Sequence, residues 1–191
     1  MSDVNIGLVR ELKAGSEEAW AKLVQQHQAG IINYLYRMVG DYQEALDMAQ
    51  ECFFRAWKGM KTFQEGRRFT PWLYAIARNV AIEKRRRRQH PSFSLEEANE
   101  EVGFEVTGGT DPIEEATFSL DAGRVQAALA MLPEEFRTAV TLRYVNDLGY
   151  AEIAEVMGVA VGTAKSRVFR GKAMLAQKLK EELPILEGVP A

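Results

Sequence analysis

YAEIAEVMGVAVGTAKSRVFRGK, residues 150–172, decides how the chain is read. Its first half, Ala151 to Met157, places Ile153, Ala154 and Met157 on one face at the i, i+1, i+4 spacing of a short buried helix. Gly158 follows where a tight turn needs positive φ. The second half puts Val161, Ala164, Val168 and Gly171 on one stripe and turns Thr163, Lys165, Ser166, Arg167 and Arg170 to the opposite face. Such a helix, with small residues inside and cations outside, can enter a major groove as the second helix of a helix-turn-helix. An ordinary αα-hairpin with a solvated charged face has the same local pattern, so the rest of the chain must decide between them.

The chain has 191 residues, 47% of them apolar, enough for one large or two small domains with a core. It has only 6 prolines and long periodic runs of Leu, Ala, Glu, Arg and Lys. No strand-like alternation is bounded by turns, so the expected fold is all-α. Its apolar runs are too short to span a bilayer, and MSDVNIGLVRELKAG lacks the apolar core of a signal peptide. The single cysteine, Cys52, excludes an internal disulfide. Together these features predict a protein of the reducing cytoplasm, without stable membrane insertion. His27, His90 and that cysteine are too few for a zinc site. No glycine-rich phosphate loop and no nucleophile–base pair stands in a recognisable context, so neither a cofactor nor an enzyme is expected.

The formal net charge of −3 conceals a segregation that matters for partners. Residues 1–93 hold 15 Lys/Arg against 10 Asp/Glu, residues 94–120 hold 8 carboxylates and no Lys or Arg, and residues 121–191 hold 9 of each sign. The acidic segment, with SLEEANEEVGFEVTGGTDPIEE at its centre, reads as an extended tether. The expected organisation is therefore a helical domain over residues 1–92, a flexible acidic linker over 93–120 and a second helical domain over 121–191.

Four helices are expected in the first domain. One runs from about Asn5 to Ala14. A second is capped by Ser16 and ends near Gly40. A third begins near Asp41, and a fourth opens at Thr70-Pro71 as cap and first helical residue. In the second domain a helix over Asp121–Met131 is followed by one that Pro133 opens, and then by the helix-turn-helix. Between Phe63 and Arg88 aromatic residues (Phe63, Phe69, Trp72, Tyr74) precede Arg78, Asn79 and the run Lys84-Arg85-Arg86-Arg87-Arg88. Aromatic faces stack on bases and cations follow phosphates, so this stretch suits single-stranded or opening nucleic acid. Core aromatics on a helix with a solvated basic end would look the same.

DMAQECFFRAW (47–57), FTPWLYAIARNVAIEKRRRR (69–88), LPEEFRTAVTLRYVNDLGYAEIA (132–154) and VGTAKSRVFRGK (161–172), in that order, make the chain resemble the extracytoplasmic-function (ECF) sigma factors, the minimal sigma subunits of bacterial RNA polymerase. The resemblance covers nearly everything but the linker and implies a sigma region 2 followed by a region 4. It implies that Asp47, Gln50 and Glu51 face the polymerase clamp helices. It implies that Arg55, Gly59, Phe63 and Asn79, with Trp72 as a stacking surface, receive a base flipped from the minus-ten element, and that Lys84, Arg85, Arg86, Arg87 and Arg88 lie along the adjacent DNA backbone. Thr163, Lys165, Ser166, Arg167, Phe169 and Arg170 match the helix that reads the minus-thirty-five element. Core RNA polymerase and promoter DNA, duplex and melted, are the implied partners, with an anti-sigma factor that could hold the chain at the inner membrane face. Two departures stand out. Gly66-Arg67-Arg68 makes the loop beside the base pocket more basic than in many relatives. Lys165 stands where several carry arginine, and lysine cannot form the planar bidentate pair with guanine. A free-standing helix-turn-helix regulator is the alternative reading; the aromatic-basic stretch counts against it, because a sensor domain needs none.

Overall fold

In the computed structural model residues 6–89 and 120–181 are described. The acidic segment expected to act as a tether lies almost wholly outside them. Eight α-helices and one short 3-10 turn are seen among the described residues. The first half contains α1 (Ile6–Lys13), α2 (Glu17–Val39), α3 (Tyr42–Gly59), the 3-10 turn Met60–Thr62 and α4 (Phe69–Gln89). The second half contains α5 (Leu120–Ala130), α6 (Glu134–Tyr144), α7 (Tyr150–Met157) and α8 (Val161–Glu181).

Local chemistry sets most of the boundaries. Ser16 caps α2 by accepting from the Ala19 amide at 3.2 Å, and Asp41 caps α3 by accepting from the Glu44 amide at 2.8 Å. Gly40, at φ 82°, ends α2 in the left-handed conformation, and Gly158, at φ 65°, makes the turn between α7 and α8. One boundary differs from expectation. Helix α4 starts at Phe69, so Thr70 lies inside it, buried, rather than capping it. Pro71 is tolerated there because the first-turn amides have no helical acceptor in any case. The gain is that Phe69, 1% exposed, packs in the core.

In the first half, Trp20, Leu23, Ile31 and Leu35 of α2 meet Ala49, Cys52, Phe53 and Ala56 of α3 and Leu73 and Ala77 of α4, all buried. In the second half, Ile153, Ala154 and Met157 are buried as their spacing predicts, as are Ala164, Val168 and Gly171. Val161 is an exception: at the first position of α8 it is 51% exposed, with no preceding turn to cover it. Helix α8 comes so close to α6 that a Cβ on Gly171 would sit 2.6 Å from Val140 Cγ2 and 3.0 Å from the Phe136 carbonyl oxygen. Gly171→Ala is therefore expected to lower stability by about 1–2 kcal/mol, overpacking outweighing the better helix propensity of alanine. Denaturant midpoints of the two proteins would show it.

The two halves share one continuous core. Ala139, Leu142, Leu148 and Ile153 belong to the same buried cluster as the residues of α2 and α4. Helices α5 and α6 pack on α2, and α7 packs on α4. Among the described residues no helix is long and apolar enough to cross a membrane.

Candidate nucleic-acid interface

Two separate faces carry the residues singled out by sequence. The first is the outer side of α3 and α4. Arg55 and Gly59 are one turn apart on α3, and Trp72, Asn79 and Glu83 fall on one stripe of α4. Arg55 does not project freely. Its Nε donates to Glu51 Oε1 at 2.5 Å and its Nη2 to Glu83 Oε2 at 2.8 Å, tying α3 to α4. The Glu83 hydrogen bond, foremost, raises its pKa further, so the guanidinium is charged throughout the physiological range. Gly59 makes room for an aromatic edge: a Cβ there would lie 3.1 Å from Trp72 Cζ2. Asn79 is exposed.

Phe63 sits elsewhere than a stacking role requires. It is 3% exposed, with Phe69 at 5.8 Å and Trp72 at 4.9 Å between ring centroids. As placed, it backs Trp72 from inside the core, and Trp72 is the half-buried ring nearer to solvent. Tyr74 is fully buried, and burial first of all pushes its phenol pKa up, so it remains a neutral hydroxyl.

The basic run at the end of α4 is exposed, but its members differ. Arg85 pairs with Glu134 of α6 at 3.0 Å, and Arg88 pairs with the buried Glu44 of α3. Lys84, Arg86 and Arg87 make no ion pair among the described residues. About two turns and one turn before Arg55 on α3, Asp47 and Gln50 are exposed, and Glu51 beside them is engaged by Arg55.

The second face is the N-terminal half of α8. Thr163, Lys165, Ser166, Phe169 and Arg170 are exposed, turned away from the buried stripe Ala164–Val168–Gly171, whereas Arg167, expected on the same outer face, flanks that stripe and is half-buried. Phe169 is 75% exposed, the most exposed of the large apolar side chains among the described residues. Burial does not explain a bare aromatic ring among cations on a helix of this kind; a thymine methyl group or a base edge would cover it.

Sequence reading missed a third set of polar residues, those that join the halves. Asn146 Nδ2 donates to the Gly30 carbonyl at 2.9 Å and to the Tyr74 hydroxyl at 3.0 Å. Gln126 Nε2 donates to the Tyr36 carbonyl at 3.2 Å, and Arg137 Nη1 to the Met38 carbonyl at 2.8 Å. Tyr36 and Met38 lie in the last turn of α2; the Tyr36 carbonyl also accepts from the Gly40 amide at 2.8 Å, and Arg137 of the second half caps the Met38 carbonyl at the end of this first-half helix. Arg67 and Arg68 pair with Glu155 and Glu152 of α7 at 3.4 and 3.2 Å.

Comparison with known proteins places both halves of the chain in one family. The family model for Sigma-70 region 2 matches residues 23–90, and that for Sigma-70 region 4 matches residues 122–175. The ECF RNA polymerase sigma factor SigW of Bacillus subtilis is 34% identical over 182 residues, covering 91% of this chain and 95% of the relative. The ECF RNA polymerase sigma-E factor of Escherichia coli K12 is 32% identical over 183 residues, covering 91% and 93%. In fold, the chain is similar to CnrH, solved in complex with the cytosolic domain of CnrY, at a TM-score of 0.72 and 20% identity over 94% of this chain and 99% of that one. The sigma factor RpoE of Bartonella quintana, solved with the anti-sigma factor NepR, superposes at a TM-score of 0.64 with 24% identity over 85% and 98%. The chain belongs to the ECF RNA polymerase sigma factors.

Proposed function

We propose that this chain, acting as an alternative sigma factor on core RNA polymerase, divides promoter recognition between the two faces described above. The observation that carries the division is the pairing of an aromatic-amide-cation face on α3 and α4 with an exposed cationic reading face on α8. Residues 1–92 are the proposed region 2 domain, 93–120 the linker and 121–191 the proposed region 4 domain. Asp47, Gln50 and Glu51 meet the polymerase. Trp72 and Asn79, with Arg55, Gly59 and Phe63 supporting them, receive an extruded minus-ten base: the ring stacks, and the amide bonds its Watson–Crick edge. Lys84 to Arg88 follow the adjacent backbone. Thr163, Lys165, Ser166, Arg167, Phe169 and Arg170 read the minus-thirty-five element.

The chain does no covalent chemistry in this reading; the polymerase supplies it. The energetics also require the polymerase. Unstacking a base costs a few kcal/mol, and stacking on one aromatic returns about 1–3 kcal/mol, so the free chain gains little by melting DNA. Sequencing the transcripts that core polymerase makes with this protein on total genomic DNA tests the proposal. A defined set of start sites sharing two upstream elements is expected; transcripts no different from those of core polymerase alone would refute it.

An anti-sigma factor is the proposed partner when transcription is unwanted, and one tethered to the membrane would hold the chain at its inner face. A groove of about 450 Å³ between the halves supports this, lined by apolar Val39 and Met131 and basic Lys84 and Arg88.

The ion pairs of the basic run make a further prediction. Arg86→Ala with Arg87→Ala should lower the salt dependence of promoter binding by about two in the log–log slope, near one per lost phosphate contact. Arg85→Ala with Arg88→Ala should change it less, because those cations already face Glu134 and Glu44. Binding isotherms of the holoenzyme from low to moderate salt would separate the pairs.

A further inference from the structure

Polymerase and extruded base are held by different helices. Asp47, Gln50 and Glu51, proposed to meet the polymerase, lie on α3; Trp72 and Asn79, proposed to receive the base, lie on α4. The free chain gains little by melting DNA, so the polymerase's hold on α3 has to reach α4 with little slack. A side-chain amide displaced by about 1 Å no longer makes a hydrogen bond of ordinary length.

Much of the packing between α3 and α4 does not supply that precision. Ala49, Cys52 and Ala56 on α3 and Leu73 and Ala77 on α4 are buried in the shared core, with Cys52 Sγ 3.8 Å from the Leu73 carbonyl oxygen. Apolar burial is non-directional, so it draws the helices together without by itself fixing their register.

Arg55 supplies the direction. Its Nε donates to Glu51 Oε1 at 2.5 Å on its own helix, and its Nη2 donates to Glu83 Oε2 at 2.8 Å on the facing one. The guanidinium is planar and its donors are fixed relative to one another, so the two carboxylates take fixed places as well. All three side chains are half-buried, which limits screening by salt. Glu51 is the carboxylate on the polymerase side, and Glu83 lies one turn beyond Asn79 on the same stripe of α4. Three linked groups thus run from the polymerase side of α3 to the base side of α4. Two carboxylates on one guanidinium also leave Arg55 poorly placed to bind a base or a phosphate itself.

We infer that Glu83, acting through Arg55, is a positioning residue for promoter opening: it fixes α4 against α3 so that Asn79 meets the extruded base when the polymerase holds Glu51, and Arg55 itself touches no DNA. The inference rests on the sigma-factor reading above, and its test separates the two.

The test uses holoenzyme and a forked fragment of a promoter taken from the transcript map, with the minus-ten strand unpaired. Each minus-ten position is made abasic in turn, and the largest loss of wild-type binding marks the extruded base. The readout is the affinity for the intact fork divided by that for the abasic one. Folded fraction cancels from this ratio, so a protein that is merely less stable leaves it unchanged. Glu83→Ala should lower the ratio about fivefold, the effect of losing one well-placed hydrogen bond to the base, while affinity for core polymerase stays within about twofold. Glu83→Gln keeps an acceptor at the same reach and should keep at least about half of the wild-type ratio. A glutamine ratio as low as the alanine one would overturn placement by hydrogen bonding.

Arg55→Ala should lower the ratio as much as Glu83→Ala does, and the two together should lower it no further, because they break one linkage. Fully additive losses would overturn action through Arg55. The salt slope of fork binding should be unchanged in Arg55→Ala. A fall of about one, or a loss of ratio well beyond that of Glu83→Ala, would put Arg55 on the DNA and overturn its assignment. An unchanged ratio in Glu83→Ala, beside a wild-type ratio well above one, would overturn the role of Glu83 alone. A wild-type ratio near one at every position would remove the extruded-base reading, and the positioning role with it.

Discussion

Phe63→Ala is expected to cost about 3–5 kcal/mol of folding stability, the range for truncating a buried aromatic. The ring is 3% exposed and touches Phe69 and Trp72, so its removal opens a cavity behind the face of α4. Trp72→Ala is the contrasting variant. Trp72 is only half-buried, so it should cost less stability and act more on the melted promoter. The decisive measurement pairs thermal melting with transcription from a duplex promoter and from a pre-melted bubble. For Phe63→Ala, activity should follow the folded fraction on both templates and recover on cooling. For Trp72→Ala, the folded protein should fail on duplex and show a weaker defect at the same position on the bubble. A Phe63→Ala protein that melts normally yet fails to open promoters would return Phe63 to the base pocket as a stacking group.

The helix-turn-helix was legible because its signals are local. Periodicity placed Ile153, Ala154 and Met157 inward, and Gly158 alone could supply the positive φ of the turn. The α4 start was misplaced for the opposite reason. Thr70-Pro71 is a good local cap signal, but the burial of Phe69 extends the helix backwards over it. Phe63 shows a different limit: an aromatic before a basic helix has the same sequence pattern whether it stacks on a base or fills a core, and only its neighbours decide. The joint between the halves was not legible at all. Asn146 meets Gly30 and Tyr74 across 116 and 72 residues of chain, and Gln126 meets Tyr36 across 90. An asparagine after a helix ordinarily reads as a turn residue. The one hint was Gly30, a glycine with no turn to make inside an otherwise regular helical stretch.

On the reading face of α8, Lys165→Ala and Arg170→Ala should each weaken recognition of the upstream promoter element by about 1–3 kcal/mol, five- to 150-fold, if the lost contact is to a base edge. Both side chains are exposed, and no ion pair within the described residues competes for them, so neither change should move stability by more than about 0.5 kcal/mol. The salt dependence then sorts their roles. Loss of a base contact relaxes specificity at one position and leaves the salt slope nearly unchanged, whereas loss of a phosphate contact weakens all sequences alike and lowers the slope by about one. Lysine offers a point charge rather than a planar fork, so Lys165→Arg should sharpen the preference for guanine at the position it meets. Phe169→Ala is the matching apolar test. At 75% exposure the ring contributes little to the core, and its loss should reduce binding most where a thymine methyl lies beneath it. Affinity for core polymerase, measured in parallel, should be unchanged in all four variants; a variant that loses polymerase first would place that side chain on the subunit interface instead of the DNA.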